Sequence, residues 1–151
     1  MIVVVQRCSK AQVLIDNETI SQIDSGLMLL VGLNKGDEFL DVDKAVEKII
    51  NLRIFNDKKN KMNLSVLETK GSIMVVSQFT LCGDIRKGRR PSFINAENPD
   101  KGLLLYKYMV NRLRDKGINT VTGEFGAKMD IELVNEGPVT FVIDSKELFT
   151  A

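Results

Sequence analysis

The segment "GSIMVVSQFTL", residues 71–81, decides the fold because a nearly unbroken apolar run leads directly into polar side chains. A continuous apolar run of this length is typical of a strand that is buried on both faces of a sheet. We therefore predict a central strand over residues 71–81. Ser77, Gln78, Phe79 and Thr80 end that strand just before a loop, where a rigid element can hold polar groups toward a cleft.

The segments around this strand predict one α+β domain spanning residues 1–151. Short runs rich in Val, Ile and Leu, bounded by Asn, Ser and Gly, predict strands, and apolar residues at three- and four-residue steps predict helices. The further predicted strands are residues 1–6, 12–16, 27–33, 118–126, 129–135 and 139–144, and the helices lie within 37–55 and 98–117. We expect a mixed, mostly antiparallel sheet, or a barrel-like β core, covered by two main helices.

Local signals fix the ends of the second helix and one turn. Asn98 can cap the helix, Pro99 suits its first position, and Gly117 suits its C-terminal end. The sequence "DNET", residues 16–19, predicts a turn, and residues 56–61 predict a polar, solvated loop.

The composition excludes several kinds of chemistry. The 151 residues are 44% apolar and 27% charged, with a net charge of +1, as in a soluble globular protein. There is no His, so Ser-His-Asp and Cys-His triads and His-ligated metals are unavailable. The two cysteines, Cys8 and Cys82, are too far apart in sequence for a CxxC pair or a zinc knuckle. We expect no metal and no cofactor.

The N-terminal segment predicts a strand and no secretory signal. "MIVVVQRCSK" has no basic residue before its apolar run and no small-residue cleavage site. No apolar run approaches the roughly 20 residues that span a bilayer. We expect a cytoplasmic protein without a membrane partner, in which a disulfide is disfavoured.

The "SQFTL" segment is the first candidate site. Gln78 offers an amide, Thr80 a hydroxyl, and the local backbone N–H groups an oxyanion site. Alternatively, Ser77 and Thr80 only satisfy backbone groups at a strand end.

The basic loop that follows is a candidate phosphate site. Arg86, Lys87, Arg89 and Arg90 surround Gly88, and clustered cations of this kind pair with phosphate oxygens. The alternative is a solvated basic loop without a ligand.

The segment "GEFGAKM" is a candidate nucleobase site. Phe125 lies between two glycines and Met129 follows four residues later, so an aromatic ring and a thioether could sandwich a base. The alternative, which spacing alone favours, is that both residues belong to the core. Cys82 lies near the candidate site but has no His partner, which favours a structural thiol.

Gly137 and Pro138 separate two apolar runs in "LVNEGPVTFVID", residues 133–144. Proline cannot donate to a β-ladder, and glycine weakens a strand interior. The pair is either an ordinary turn or a cis peptide that presents its carbonyl groups as a rigid surface.

Taken together, these motifs resemble the D-aminoacyl-tRNA deacylase family of the bacterial and eukaryotic type. "VVSQFTLCGDIRKGRRPSF" and "LVNEGPVTFVID" resemble its two signature segments. "VVQRCSKAQV", "LRIFNDKKNKMNLSV" and "TGEFGAKM" match further segments in the same order, so the similarity covers nearly the whole chain.

The resemblance implies a homodimer, with active sites at the subunit interface, that hydrolyses the ester between a D-amino acid and the tRNA 3′ end. It also implies removal of glycine mischarged on alanine tRNA. Gly137 and Pro138 would be a cis pair that enters the partner's active site and excludes L side chains, and Arg7 would hold that pair in place.

The same resemblance assigns the remaining site residues. Phe125 and Met129 would bind the terminal adenosine. Four residues would surround the scissile ester: Ser77, Gln78, Phe79 and Thr80. A water, the substrate amine or the ribose 2′-hydroxyl could attack the ester, since the chain has no evident base to activate Thr80.

Two other functions remain open from the residues alone. One is a non-catalytic RNA- or nucleotide-binding module that uses the basic loop and Phe125. The other is a Thr80- or Cys82-dependent hydrolase of small esters. A local basic loop rather than a broad basic face favours recognition of a tRNA end, and we expect no DNA partner.

Overall fold

Eight strands and three α-helices make up the computed structural model, which describes residues 1–148. The strands are β1 (Ile2–Ile15), β2 (Glu18–Ile23), β3 (Gly26–Gly32), β4 (Phe55–Asn56), β5 (Met62–Leu64), β6 (Ser72–Ser77), β7 (Thr120–Thr122) and β8 (Asp130–Asp144). The helices are α1 (Phe39–Asn51), α2 (Val66–Thr69) and α3 (Pro99–Asp115), with short 3-10 helices at Phe79–Cys82 and Ser145–Glu147.

Strand β1 organises a mixed sheet because it changes partner halfway along its length. Its first half pairs with β3, its second half pairs with β2, and β8 runs antiparallel along its other edge. β3, β6 and β7 continue the sheet in parallel. The exchange of partners curls the sheet into a nearly closed, barrel-like shape, so the predicted fold class is confirmed.

The two faces of the sheet bury two apolar clusters. The larger lies between the sheet and helices α1 and α3, which pack against each other. The smaller lies inside the curl of the sheet and consists of Cys8, Ala11, Val13, Ile23, Met28, Met74 and Val76. β6 contributes Met74 and Val76 to one cluster and Ile73 and Val75 to the other, which confirms a central strand buried on both faces.

The ends of the two long helices follow the sequence signals. The Asn98 side chain accepts from the Lys101 N–H at 3.0 Å, and Pro99 occupies the first turn of α3. Gly117 follows that helix with φ of +81°, a conformation that favours glycine. At the start of α1, Glu38 and Asp41 form a reciprocal capping box.

A buried polar network ties the first residue to α1 and to the end of β8. The Met1 ammonium lies 2.7 Å from the Asp37 carboxylate, and both groups are fully buried. The same ammonium donates to Ser145 Oγ at 2.8 Å, and Ser145 donates to Asp41 at 3.0 Å. Lys146 contacts Asp41 at 2.9 Å, so each carboxylate has a cationic partner.

Several predicted boundaries were wrong. The strands predicted at residues 1–6 and 12–16 are parts of one continuous strand, Ile2–Ile15, and β2 was not predicted at all. The central strand ends at Ser77 instead of Leu81. The predicted strands at 129–135 and 139–144 are one element, β8, so Gly137 and Pro138 do not form a hairpin turn. The turn within residues 16–19 is confirmed, with positive φ at Asp16 and Asn17.

Within residues 1–148, no helix combines the length and the apolar character that a bilayer crossing requires.

Candidate functional site

A cavity of about 470 Å³ opens where the carboxyl ends of β3 and β6 meet the start of α3. This volume is within the range of small-molecule sites. Its wall is mainly apolar, with polar groups contributed by the end of β6 and by the start of α3. The lining residues that matter here are Val31, Val76, Ser77, Gln78, Phe79, Glu97, Asn98, Gly102, Tyr106, Phe125 and Met129. The structure therefore brings three of the four "SQFT" residues together with both members of the predicted nucleobase site.

The polar end of the cavity is built by the chain leaving β6. The Gln78 N–H donates to the Val31 carbonyl at 2.7 Å, and the chain then turns into the 3-10 helix Phe79–Cys82. Gly32 permits this close approach, since a Cβ there would lie 2.9 Å from Leu81 Cβ. No local pattern predicts this turn, because the contact with Gly32 is tertiary.

Thr80 does not line the cavity but supports a residue that does. The Gln78 amide Nε2 donates to Thr80 Oγ1, which holds the amide at the cavity mouth. Phe79 is 59% exposed and meets Phe93 edge to face, with ring centroids 5.0 Å apart. An exposed aromatic at the mouth of an apolar cavity is available for contact with another molecule.

The apolar wall is formed by Phe125 and Met129, which are both half-buried. Phe125 packs against Tyr106 with ring centroids 5.5 Å apart. The Tyr106 hydroxyl donates to the Val75 carbonyl at 2.7 Å, and burial raises the pKa of Tyr106 to about 12. Tyr106 therefore stays neutral and supports the wall. Phe125 also packs against the larger apolar cluster, and Met129 packs against the smaller one. Both residues therefore line the cavity and contribute to the core.

Met129 is fixed by its own neighbours. Its sulfur accepts from the Glu124 N–H at 3.3 Å. A Cβ at Gly123 would lie only 2.5 Å from that sulfur, so the glycine makes room for the thioether.

Sequence reasoning missed the start of α3 as part of the wall. Glu97, Asn98, Pro99 and Gly102 line the cavity on the side opposite β6. The Glu97 N–H donates to the Leu33 carbonyl at 2.9 Å, which ties this segment to the end of β3. The capping signal at Asn98 predicted where the helix begins, but it did not indicate that the first turn of the helix lines a cavity.

The basic loop does not form part of the cavity wall. Arg86 is paired with Asp84 at 2.7 Å and holds the pKa of that carboxyl well below its ordinary value. Lys87, Arg89 and Arg90 are exposed, and none has an ion pair among the described residues. These cations follow "SQFTL" directly in the sequence, but they do not line the cavity. Their role in phosphate binding stays a prediction.

Gly137 and Pro138 lie on the surface, outside the cavity of their own chain, and the bond between them is cis. Gly137 has φ of +123°, which favours glycine. The buried Arg7 side chain lies beneath the pair. Its Nε donates to the Glu136 carbonyl at 3.3 Å, and its Nη1 donates to the Ile54 carbonyl at 2.9 Å.

Neither cysteine has the surroundings of a nucleophile. Both thiols are free and buried. Burial, together with the charge of Glu136, raises the pKa of Cys8 to about 11. Burial and the charge of Asp37 raise the pKa of Cys82. Both stay protonated at neutral pH, which argues against Cys82-dependent catalysis.

Fold and site together define an α+β domain whose curled sheet and second long helix enclose a mainly apolar cavity with an amide at its mouth. A polar group beside an aromatic wall suits a ligand with an aromatic end and a polar, reactive end. Comparison with known proteins then identifies the family. The sequence model described as D-Tyr-tRNA(Tyr) deacylase matches residues 4–144, and the chain belongs to this family.

Individual relatives agree over nearly the full length. A D-aminoacyl-tRNA deacylase of Geobacillus sp. (strain WCH70) is 52% identical, with 97% of each chain covered. One of Thermosipho africanus (strain TCF52B) is 48% identical over 97% of this chain and 98% of the relative.

Two solved structures share the fold. A c-Myc DNA unwinding element binding protein has a TM-score of 0.90 and 34% identity, and 95% of this chain and 98% of that chain are covered. A probable eukaryotic D-amino acid tRNA deacylase has a TM-score of 0.79 at 19% identity, over 94% and 98% of the two chains.

Proposed function

We propose that the protein hydrolyses the ester bond between a D-amino acid and the 3′ end of tRNA, and that it spares L-aminoacyl-tRNA. The observation that carries this proposal is that Gln78, Phe79, Phe125 and Met129 all line one cavity. Family membership supplies the substrate class. An aminoacyl-tRNA ends in an adenosine that bears an ester, which matches an aromatic wall next to a polar mouth.

The substrate's adenine would lie against Phe125 and Met129, with its ester near residues 77–80. The first N–H groups of a helical turn have no acceptor within that turn, so those of Phe79 and Thr80 can donate to the developing oxyanion. One such donor contributes about 3–4 kcal/mol to the barrier, a factor of about 10²–10³ in rate. The Gln78 amide would orient the ester.

Thr80 would act as a positioning group. Its hydroxyl accepts from the Gln78 amide, and no described side chain near it is an evident base. An aminoacyl ester is activated already, so a water, the substrate amine or the ribose 2′-hydroxyl can serve instead. Thr80→Ser should keep most of the activity, whereas Thr80→Val should lower it by loosening Gln78. A covalent intermediate trapped on Thr80 would contradict this role.

Gly137 and Pro138 would exclude L side chains from the active site of a partner subunit. Three features support this: the pair is exposed, it lies outside its own cavity, and Arg7 anchors it from below. Exposed apolar residues on β8 near the pair, Val134, Phe141 and Val142, are suited to an interface. A two-fold dimer would place each pair in the opposite cavity.

The same filter would admit glycine, which has only hydrogen at the excluded position, so glycine mischarged on alanine tRNA is a second expected substrate. Arg86, Lys87, Arg89 and Arg90 are exposed in the loop that follows the 3-10 helix Phe79–Cys82, and they would contact tRNA phosphates. Such a substrate places the enzyme in the cytoplasm, where translation occurs.

The test is deacylation of D-Tyr-tRNA and L-Tyr-tRNA by the purified protein, measured side by side. Rapid loss of the D ester alone would support both the reaction and the filter. Hydrolysis of both esters would leave an esterase without a chirality filter. Phe125→Ala should raise KM for D-Tyr-tRNA. Phe39→Ala is the matched control for adenosine binding, since it removes another exposed ring that packs on Tyr108 outside the cavity.

A second candidate is nucleic-acid binding without catalysis. The neighbour named as a binding protein of a DNA unwinding element, at 34% identity, favours testing it. Tight binding of a DNA duplex combined with failure to hydrolyse either ester would support this candidate over the first. Cleavage of D-Tyr-tRNA at catalytic enzyme concentrations would exclude it as the sole function.

A further inference from the structure

The Gly137–Pro138 pair lies in a bulge of β8 that is wider than an ordinary one. Gln6 pairs with Thr140 and Cys8 pairs with Asn135, so the four residues 136–139 stand opposite one residue, Arg7. Extra residues in a bulge lose their ladder partners, and their position must be fixed by other contacts.

The Asn135 side chain links the residue before this bulge to the residues at its far end. Its Oδ1 accepts from the Val139 N–H at 3.0 Å, and its Nδ2 donates to Thr140 Oγ1 at 2.8 Å. Both ends of one carboxamide are therefore used on the downstream side of the bulge. Val139 is only 5% exposed, so its N–H needs this protein acceptor.

Arg7 and Asn135 hold opposite sides of the bulge. Arg7 donates to the Glu136 carbonyl on the upstream side, while Asn135 binds Val139 and Thr140 on the downstream side. Gly137 and Pro138 lie between these anchors and carry no hydrogen-bonding side chain. The depth at which their carbonyl groups project is therefore set by the two anchors.

We infer that Asn135 is a specificity-determining positioning residue, which holds the Gly137–Pro138 bulge at the depth that excludes L-aminoacyl esters. This inference rests on the proposed function. Exclusion by contact is sensitive to position, and a functional group displaced by about 1 Å is already too loose. D esters avoid the filter, so loss of Asn135 should increase hydrolysis of the L ester far more than it lowers hydrolysis of the D ester.

The central variant is Asn135→Ala, assayed as the full-length protein on D-Tyr-tRNA and L-Tyr-tRNA. We expect the ratio of kcat/KM values, D over L, to fall at least about tenfold, which is the scale of a lost contact that discriminates substrates. The D-ester value alone should change by less than about threefold.

A conservative variant provides a rescue. In Asn135→Asp, one carboxylate oxygen can still accept from the Val139 N–H, and the Thr140 hydroxyl can rotate to donate to the other. Asn135→Asp should therefore retain most of the D-over-L ratio. Thr140→Val removes the second contact, together with the longer hydrogen bond that Thr140 Oγ1 accepts from Gln6 Nε2 at 3.3 Å, and should give an intermediate ratio.

Gln12→Ala is the matched control. Gln12 donates through its own side-chain amide to Glu132, across the same pair of strands but away from the bulge. Its loss removes a side-chain amide contact to β8 without touching the bulge, and the ratio should not change.

A ratio that stays unchanged in Asn135→Ala, whatever its melting temperature, would overturn the inference, since a purely structural role lowers both rates together. If Asn135→Ala does not fold, an unchanged ratio in Thr140→Val would overturn it instead. A wild-type protein that hydrolyses neither ester, or both equally, would refute the proposed function before any variant is compared.

Discussion

Replacing Arg7 with Met tests how firmly the Gly137–Pro138 bulge is anchored. Arg7→Met keeps an unbranched side chain of similar length but removes the guanidinium. That group donates to the carbonyls of Ile54 and Glu136 and to the side chain of Asn56, at 2.9, 3.3 and 3.2 Å. The change therefore detaches the bulge from the segment 54–56 without opening a large hole.

The expected loss of unfolding free energy comes mainly from the Ile54 carbonyl. Ile54 is buried, so its carbonyl would lose a charged donor and find no water, which costs about 1–3 kcal/mol. The Asn56 side chain is exposed and can be rehydrated, and the Glu136 carboxylate, at 3.8 Å from Nη2, is half in solvent and adds little. We expect a loss of about 3 kcal/mol of unfolding free energy, or about 6–12 °C in Tm.

Urea denaturation at a fixed protein concentration measures this loss, because the stability of the proposed dimer would depend on that concentration. Arg7→Lys is the control: it keeps the charge but cannot reach Ile54 and Glu136 with a rigid fork, so it should recover part of the stability. The D-over-L ratio should fall in Arg7→Met as well. A loss below about 0.5 kcal/mol with an unchanged ratio would refute the anchoring role.

Three further predictions concern other parts of the molecule. Cys82→Ser should keep D-Tyr-tRNA hydrolysis, because burial raises the pKa of that thiol; a loss of activity beyond tenfold, about 1.4 kcal/mol, would revive Cys82 catalysis. Burial raises the pKa of Asp41, but hydrogen bonds, including one from Lys146, outweigh it and hold the pKa below its ordinary value. This stabilisation is present above about pH 4 and is lost as the pH falls through the lowered pKa, so Asp41→Asn should flatten the acid limb of unfolding free energy against pH. An unchanged acid limb would contradict this. Gly102→Ala should be tolerated, since its Cβ would lie 3.6 Å from Phe125, whereas Gly102→Leu should enter the cavity and raise KM; equal KM values would contradict the assignment of the wall.

Sequence patterns predicted the features that depend on near neighbours. The apolar run of β6 predicted a central strand because a strand between two others must be apolar on both faces. Asn98 and Pro99 predicted the start of α3 because helix capping is decided within four residues. Residue types made Phe125 and Met129 a candidate nucleobase site, spacing alone favoured a core role, and the family resemblance decided the assignment.

Features that depend on long-range register were not predictable in this way. Residues 7–11 were left between two predicted strands. In the fold they continue β1, and the exposed Ser9 and Lys10 lie at the point where β1 exchanges β3 for β2. Asn135 gave no signal either. Its role exists only because β8 pairs with β1 on both sides of the bulge, and a pairing more than 100 residues apart is invisible to local patterns.

The proposed arrangement separates chemistry from discrimination. Residues 77–80 belong to the end of a buried central strand, while Gly137 and Pro138 belong to an exposed bulge of a different strand and would serve the partner's cavity. The two sets share no hydrogen bond among the described residues. Variants should therefore fall into two kinetic classes: changes near Gln78 lower the rate with D esters, and changes near Arg7 or Asn135 raise the rate with L esters. A filter that only excludes needs no reactive side chain, so glycine and proline would suffice in the proposed role. A chain without histidine could then be selective, because the position of backbone atoms would supply the selectivity.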